Sequence, residues 1–228
     1  ATPIISANSP AKHIFGSSGK VVQPMEIKIL DADGDVVAEG CTSETSVDAG
    51  SNVSVAVEME VKNAKTWSPE HPDLYTAVIS VKDDGGAVVD EFSKRFGFRT
   101  ISFSATDGFR LNGEKTLLYG GCVHHDNGLL GAAAYYDAER RKVLLLKAQG
   151  YNALRCSHNI PSENFLDICD EVGMMVIDEA FDGWRSAKTP HDYSTLIDKH
   201  WRDDLAALVL RDRNHPSIFA WSVGNEVI

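Results

Sequence analysis

Two hydrophobic periods divide the chain. In the first part apolar side chains return at every second position, the spacing of strands with one buried face. Met25, Ile27 and Ile29 alternate with Glu26 and Lys28, and Asp31-Ala32-Asp33-Gly34 supplies a turn before Val36-Val37. The longest alternation is Val53, Val55, Val57, Met59 and Val61, with Asn52, Ser54, Glu58 and Glu60 on the opposite face. It predicts the clearest strand of this region. Tyr75, Ala77, Ile79 and Val81 predict another, ended by Asp83-Asp84-Gly85-Gly86. Short strands with regular turn signals predict an immunoglobulin-like β-sandwich over residues 1–102. The first twenty residues, with Ser17-Ser18-Gly19, read as loop-rich.

The period lengthens after Thr100. Phe109 to Glu114 reads as a hairpin turning at Asn112-Gly113, and Leu117 to Val123 as a short apolar strand. Asp137 is placed to cap a helix carrying Val143 to Leu146, with Gly150 past its end. Tyr151 to Arg155 is the next strand. Ser162 then caps a helix with Phe165, Leu166, Cys169 and Val172 on one face, stopped by Gly173. Met174 to Ile177 is a third strand, and Ile197, Trp201, Leu205 and Leu208 recur at helical spacing. Ile218 to Trp221 is a fourth strand. Strand and helix alternating in this way predict the N-terminal half of a (β/α)8 TIM barrel over residues 103–228.

Composition narrows the function. The 228 residues are 43% hydrophobic, enough for a core, and the formal charge of −11 argues against nucleic-acid or anionic-membrane partners. No apolar run approaches the length of a membrane helix. The start, Ala1-Thr2-Pro3, predicts a processed or excised chain and leaves the compartment, periplasmic or cytoplasmic, unassigned. Cys41, Cys122, Cys156 and Cys169 have no CxxC spacing; Cys122 and Cys156 read as small buried residues on neighbouring strands. Asp31, Asp33 and Asp35 lack the glycine and terminal Glu positions of a calcium loop and read as a hairpin. No glycine-rich phosphate loop or cofactor motif is present, and no cofactor is expected.

Polar residues gather where the barrel strands finish. His124-His125-Asp126 follow the first. Arg155, Ser157, His158 and Asn159 follow the second, and Asp178, Glu179, Asp182 and Trp184 the third. Asn225 and Glu226 follow the fourth. Carboxylates, imidazoles and an indole converging at strand ends suit recognition of a sugar ring. At this level Asp178 has a plain alternative role as the partner of Arg155.

The run from Arg211 to Glu226, RDRNHPSIFAWSVGNE, resembles the acid/base segment of the family 2 glycoside hydrolases, the β-galactosidase and β-glucuronidase family. Trp67 to Tyr75 resembles the family's W-S-P-E-x-P-x-L-Y segment, and Phe96-Gly97-Phe98-Arg99 its strand before the barrel. Gly121 to Asp126, Asn152 to His158 and Asp178-Glu179-Ala180 resemble further barrel motifs. The resemblance implies a retaining β-glycosidase with Glu226 as acid/base. It implies Asn225, His125, His158 and Arg155 as substrate-binding residues, with Asp182 and Trp184 beside them at the strand ends. Two departures stand out. Ile160 separates Asn159 from Pro161 and reshapes that loop. Gly183 and Arg185 stand where some members carry magnesium ligands, so no metal is expected.

The family's nucleophile lies on a later strand. The resemblance therefore implies an inactive fragment of an enzyme acting on terminal β-galactosides. A β-glucuronidase or β-mannosidase parent and a non-catalytic carbohydrate-binding or assembly module are the alternatives. The expected partner is a β-linked oligosaccharide or other glycoside. Open strand edges also predict self-association into a homo-oligomer or aggregate.

Overall fold

The computed structural model describes residues 20–22, 24–43, 45–48, 53–83 and 85–227, so the loop-rich reading of residues 1–19 lies outside the described residues. The chain divides into two compact units. In the first, β1 (Lys20–Val22), β2 (Glu26–Leu30), β3 (Val36–Cys41), β4 (Thr45–Val47), β5 (Tyr75–Lys82) and β6 (Val88–Phe96) follow in chain order. Strands β1 and β4 form a two-stranded antiparallel ribbon, and the others a four-stranded antiparallel sheet in the order β3-β2-β5-β6. Ile29, Tyr75, Ala77 and Phe96 are buried on this sheet, and the Tyr75 and Phe96 rings pack 6.0 Å apart. The acidic turns are closed from within. Asp31 Oδ1 accepts the backbone N–H groups of Asp33 and Asp35, both at 3.0 Å, which spends that carboxylate on the hairpin. Asp83 Oδ1 does the same for Gly85 and Ala87 at 2.9 Å.

The longest alternation in the sequence makes no strand. Among the described residues, those from 53 to 61 belong to no strand and join no ladder. Val57 and Met59 instead lie over β3: a Cβ on Gly40 would stand 3.0 Å from Val57 Cγ1 and 3.1 Å from the Met59 sulfur. Val53 and Val55 remain exposed. Alternation reports which side chains meet an apolar surface. It does not report that the backbone finds a hydrogen-bonding neighbour.

The second unit contains Thr66–Asp73 and the chain from Gly97 onward. Thr66–Asp73 falls in the interval read from sequence as sandwich, yet it packs here. Trp67 is fully buried and its indole N–H donates to Asp170 O at 2.8 Å. Strands β7 (Ile101–Ser104), β8 (Gly108–Leu111) and β9 (Glu114–Lys115) form a meander, with Asn112 and Gly113 both at positive φ in its tight turn. Then come β10 (Gly120–Val123), α1 (Tyr136–Ala148), β11 (Ala153–Cys156), α2 (Glu163–Val172), β12 (Met175–Glu179), α3 (Ser194–Asp212) and β13 (Ile218–Ser222). The four strands pair in parallel, in the order β10-β11-β12-β13, as the front of a barrel requires.

One layer of core holds helices to sheet. Val143 from α1 and Phe165, Leu166, Ile168 and Cys169 from α2 pack on Leu154, Cys156, Val176 and Ile218. Ser162 caps α2 by accepting the Phe165 N–H, and Gly173 ends it in the left-handed conformation at φ 77. Gly173 has a second constraint, because a Cβ there would meet Pro69 O at 2.4 Å.

Three expectations are corrected. Asp137 does not cap α1; Tyr135 is the N-cap residue, with no side-chain bond, and Asp137 lies in the first turn, where its charge favours the helix dipole. Strand β10 begins only at Gly120, because the Asn152 side chain bonds Leu117 O and the Tyr119 N–H, both at 2.8 Å, in place of a ladder. Cys156 is buried as expected, but Cys122 is exposed.

The β12–β13 pairing carries a bulge. Val176 pairs with Ile218, yet Ile177 pairs with Ala220, so β13 spends one extra residue. The register that follows sets Ser222 opposite Glu179 and Trp221 opposite Asp178.

Candidate active site

The site is built around Glu179, the last residue of β12. Its side chain is completely buried, and four donors converge on it. Arg155 Nε donates to Oε2 at 2.9 Å, and Arg155 Nη2 reaches both oxygens, at 2.9 and 2.7 Å. His158 Nδ1 lies 2.7 Å from Oε1, and Ser222 Oγ donates to Oε2 at 2.6 Å. Burial opposes the charge on Glu179, but the hydrogen bonds from Ser222, His158 and Arg155 outweigh it and hold the carboxyl below the usual range. Arg155 is shifted upward: burial works against its charge, and the bonds to Glu179 prevail.

The neighbouring acid has the opposite environment. Asp178 points to the other face of β12, fully buried beside Asp212. Burial and the Asp212 charge push its carboxyl up to about 8, against a weaker pull from Arg211. The partner of Arg155 is therefore Glu179, not Asp178. Strand alternation decides this, since only one of two adjacent residues can share the Arg155 face.

Beyond β13 the chain turns sharply. A Cβ on Gly224 would lie 3.0 Å from both Phe181 O and Trp184 Nε1, a tight approach at a φ of 157 that favours glycine. The Asn225 N–H donates to Phe181 O at 2.8 Å. Arg155 Nη2 donates to Asn225 Oδ1 at 3.1 Å, and Asn225 Nδ2 points to Asp182 Oδ1 at a longer 3.4 Å. Glu226 follows at φ 43, a left-handed conformation unusual for a side-chain-bearing residue. Its side chain is 63% exposed, and Lys188 Nζ joins its carboxylate, at 2.9 Å, to Asp182 at 2.8 Å. The Lys188 hydrogen bond is the main reason the Asp182 carboxyl is shifted downward.

Arg155, His158, Asn225, Asp182 and Glu226 thus form one connected chain of contacts. His125 and Trp184 stand at its sides. His125 Nε2 bonds the Ile160 carbonyl at 2.9 Å, where the residue intervening before Pro161 presents it. The neighbouring His124 ring meets His158 edge-on at 5.5 Å. Trp184 packs against Phe181 and Trp201, with ring centroids 6.0 and 5.8 Å away. Three members carried no assigned role in the sequence reading: Glu179, Ser222 and Lys188. The first two lie inside recognisable motifs and could have been found there. Lys188 lies in an exposed stretch with no motif.

Arg185, at one of the positions where magnesium ligands occur in some family members, pairs with Asp198 at 2.7 Å. Among the described residues one carboxylate–histidine group, Asp167, Asp170 and His215, has metal-ligand spacing. There Asp170 already bonds His215 Nδ1 at 2.6 Å and the Ser217 N–H at 3.0 Å.

Two family models match the chain. Glycosyl hydrolases family 2, TIM barrel domain, covers residues 105–228, and Glycosyl hydrolases family 2 covers residues 17–99. β-Galactosidase BoGH2A of Bacteroides ovatus is 44% identical over 200 residues, 88% of this chain and 23% of that protein. A putative β-glucuronidase of Formosa agariphila is 44% identical over 201 residues, 88% of this chain and 19% of that protein. A family 2 glycosyl hydrolase structure from Bacteroides cellulosilyticus superposes with a TM-score of 0.82 at 46% identity, covering 92% of this chain and 27% of that one. The chain therefore spans less than a quarter of the length of these two curated relatives. An immunoglobulin-like sandwich followed by part of a TIM barrel is the architecture these matches share, and the chain belongs to glycosyl hydrolase family 2.

Proposed function

We propose that this chain carries the acid/base half of a retaining β-glycosidase for terminal β-galactosides. The observation that supports this most is Asn225-Glu226 leaving the end of β13 beside the Arg155–Glu179–His158 cluster. Glu226 is exposed and able to reach a leaving-group oxygen, first as acid and then as base. Arg155, His158 and Asn225 bind the glycone, with His125, Asp182 and Trp184 around them. The attacking carboxylate is expected on a later strand, as the family resemblance implies, and Glu179 is no substitute for it because it is buried under four donors.

In the full-length protein that carries this chain, Glu226→Gln should lower kcat on unactivated β-galactosides by about 10²–10⁴-fold. Aryl galactosides with good leaving groups should suffer much less, since they need little proton donation. Equal losses on both would remove Glu226 from the acid role. Rates on β-galactosides, β-glucuronides and β-mannosides decide the sugar. Turnover by the 228-residue chain alone would contradict an external nucleophile.

A further inference from the structure

We propose that Glu179 is a positioning residue that fixes which atoms the site offers a sugar: a donor at Asn225 Nδ2 and an acceptor at His158 Nε2. A carboxylate only accepts hydrogen bonds. The 2.7 Å contact to Glu179 Oε1 therefore requires the proton of a neutral His158 to sit on Nδ1. On that neutral ring Nε2 keeps its lone pair, and the His158 side chain is 23% exposed. Arg155 only donates, so its 3.1 Å contact settles the Asn225 amide as well. A flipped amide would set donor against donor. Nδ2 is left for the site, with only the 3.4 Å contact to Asp182.

Glu179 thus acts at one remove, through an imidazole and a guanidinium. Ser222, delivered by the β13 bulge, occupies one of its remaining acceptor directions. One donor and one acceptor complement hydroxyl groups, each of which can give and take a hydrogen bond. A ligand carboxylate could accept from Asn225 but would meet a lone pair at His158 Nε2. The arrangement selects neutral hydroxyls at that point, and this specificity rests on the glycosidase reading above.

The test uses the full-length protein that carries this chain, labelled with ¹⁵N at histidine. Long-range ¹H–¹⁵N NMR at a pH where the ring is neutral should show His158 protonated on Nδ1. In Glu179→Gln the new amide opposes converging donors, and the ring should move largely to the Nε2–H form. Glu179→Asp, which keeps the charge, should retain Nδ1–H. A role confined to stability would lower the unfolding midpoint and leave the tautomer alone. An Nε2–H ring in the wild type, or an unmoved tautomer in a folded Glu179→Gln, would overturn the proposal. Should Glu179→Gln not fold, the wild-type and Glu179→Asp spectra decide. Neither depends on hydrolysis, so a parent that cleaves no glycoside would sink the functional reading and leave the tautomer result standing.

Discussion

Asp178 and Glu179 are adjacent in sequence and opposite in chemistry. Both are buried, but Glu179 meets four donors, whereas neither oxygen of Asp178 meets a donor. Burial and the Asp212 charge push the Asp178 carboxyl upward, to about 8, so the Asp178–Asp212 pair holds on to a proton well above the usual carboxylate range. The folded state binds that proton more tightly than the unfolded chain, whose Asp titrates near about 3.9. The contribution to stability is complete below that value and is lost as pH rises through about 8. Urea midpoints measured across this window should fall with rising pH in the wild type. Asp178→Asn, which cannot ionise, should flatten the fall. An identical slope in the two proteins would mean that folding does not raise the Asp178 carboxyl.

At the scale of elements, the parts that were legible in the sequence are those set by neighbours in the chain. Ser162 and Gly173 bound α2 as their residue types dictate, and Asn112-Gly113 makes its hairpin. Ser162→Ala should cost about 1 kcal/mol, the worth of one satisfied helix N–H. Gly173→Ala should cost more, since the left-handed strain adds to a backbone clash with Pro69 O at 2.4 Å. Chemical denaturation measures both, and equal costs would show that the clash relaxes freely. Features set by distant partners were not legible. The 53–61 alternation looked like a strand because its backbone partner, or the lack of one, leaves no trace in the pattern. The β13 bulge was equally hidden, and without it Trp221 rather than Ser222 would stand opposite Glu179. The site was therefore readable as a set of residue types at strand ends, but not as a hydrogen-bond network.

At the scale of the molecule, the parallel sheet determines how the chain behaves in solution. Among the described residues β10 and β13 each pair on one side only, leaving a row of backbone donors and acceptors at each edge. Apolar side chains lie close by: Leu117, Leu118 and Tyr119 before β10 are exposed, as are Trp221 and Val223 at the end of β13. The net charge of −11 opposes association at low salt, but screening weakens that repulsion and leaves edge pairing unopposed. Light scattering on the 228-residue chain should therefore report a mass above the monomer that grows with salt and concentration. Trp221→Lys places a charge on one edge strand, 41% exposed in the native state, and should shift the distribution toward monomer. If the edges drive association, the shift should occur while far-UV circular dichroism stays unchanged. A clean monomer at high concentration and high salt would mean that something within the chain already covers the open sheet.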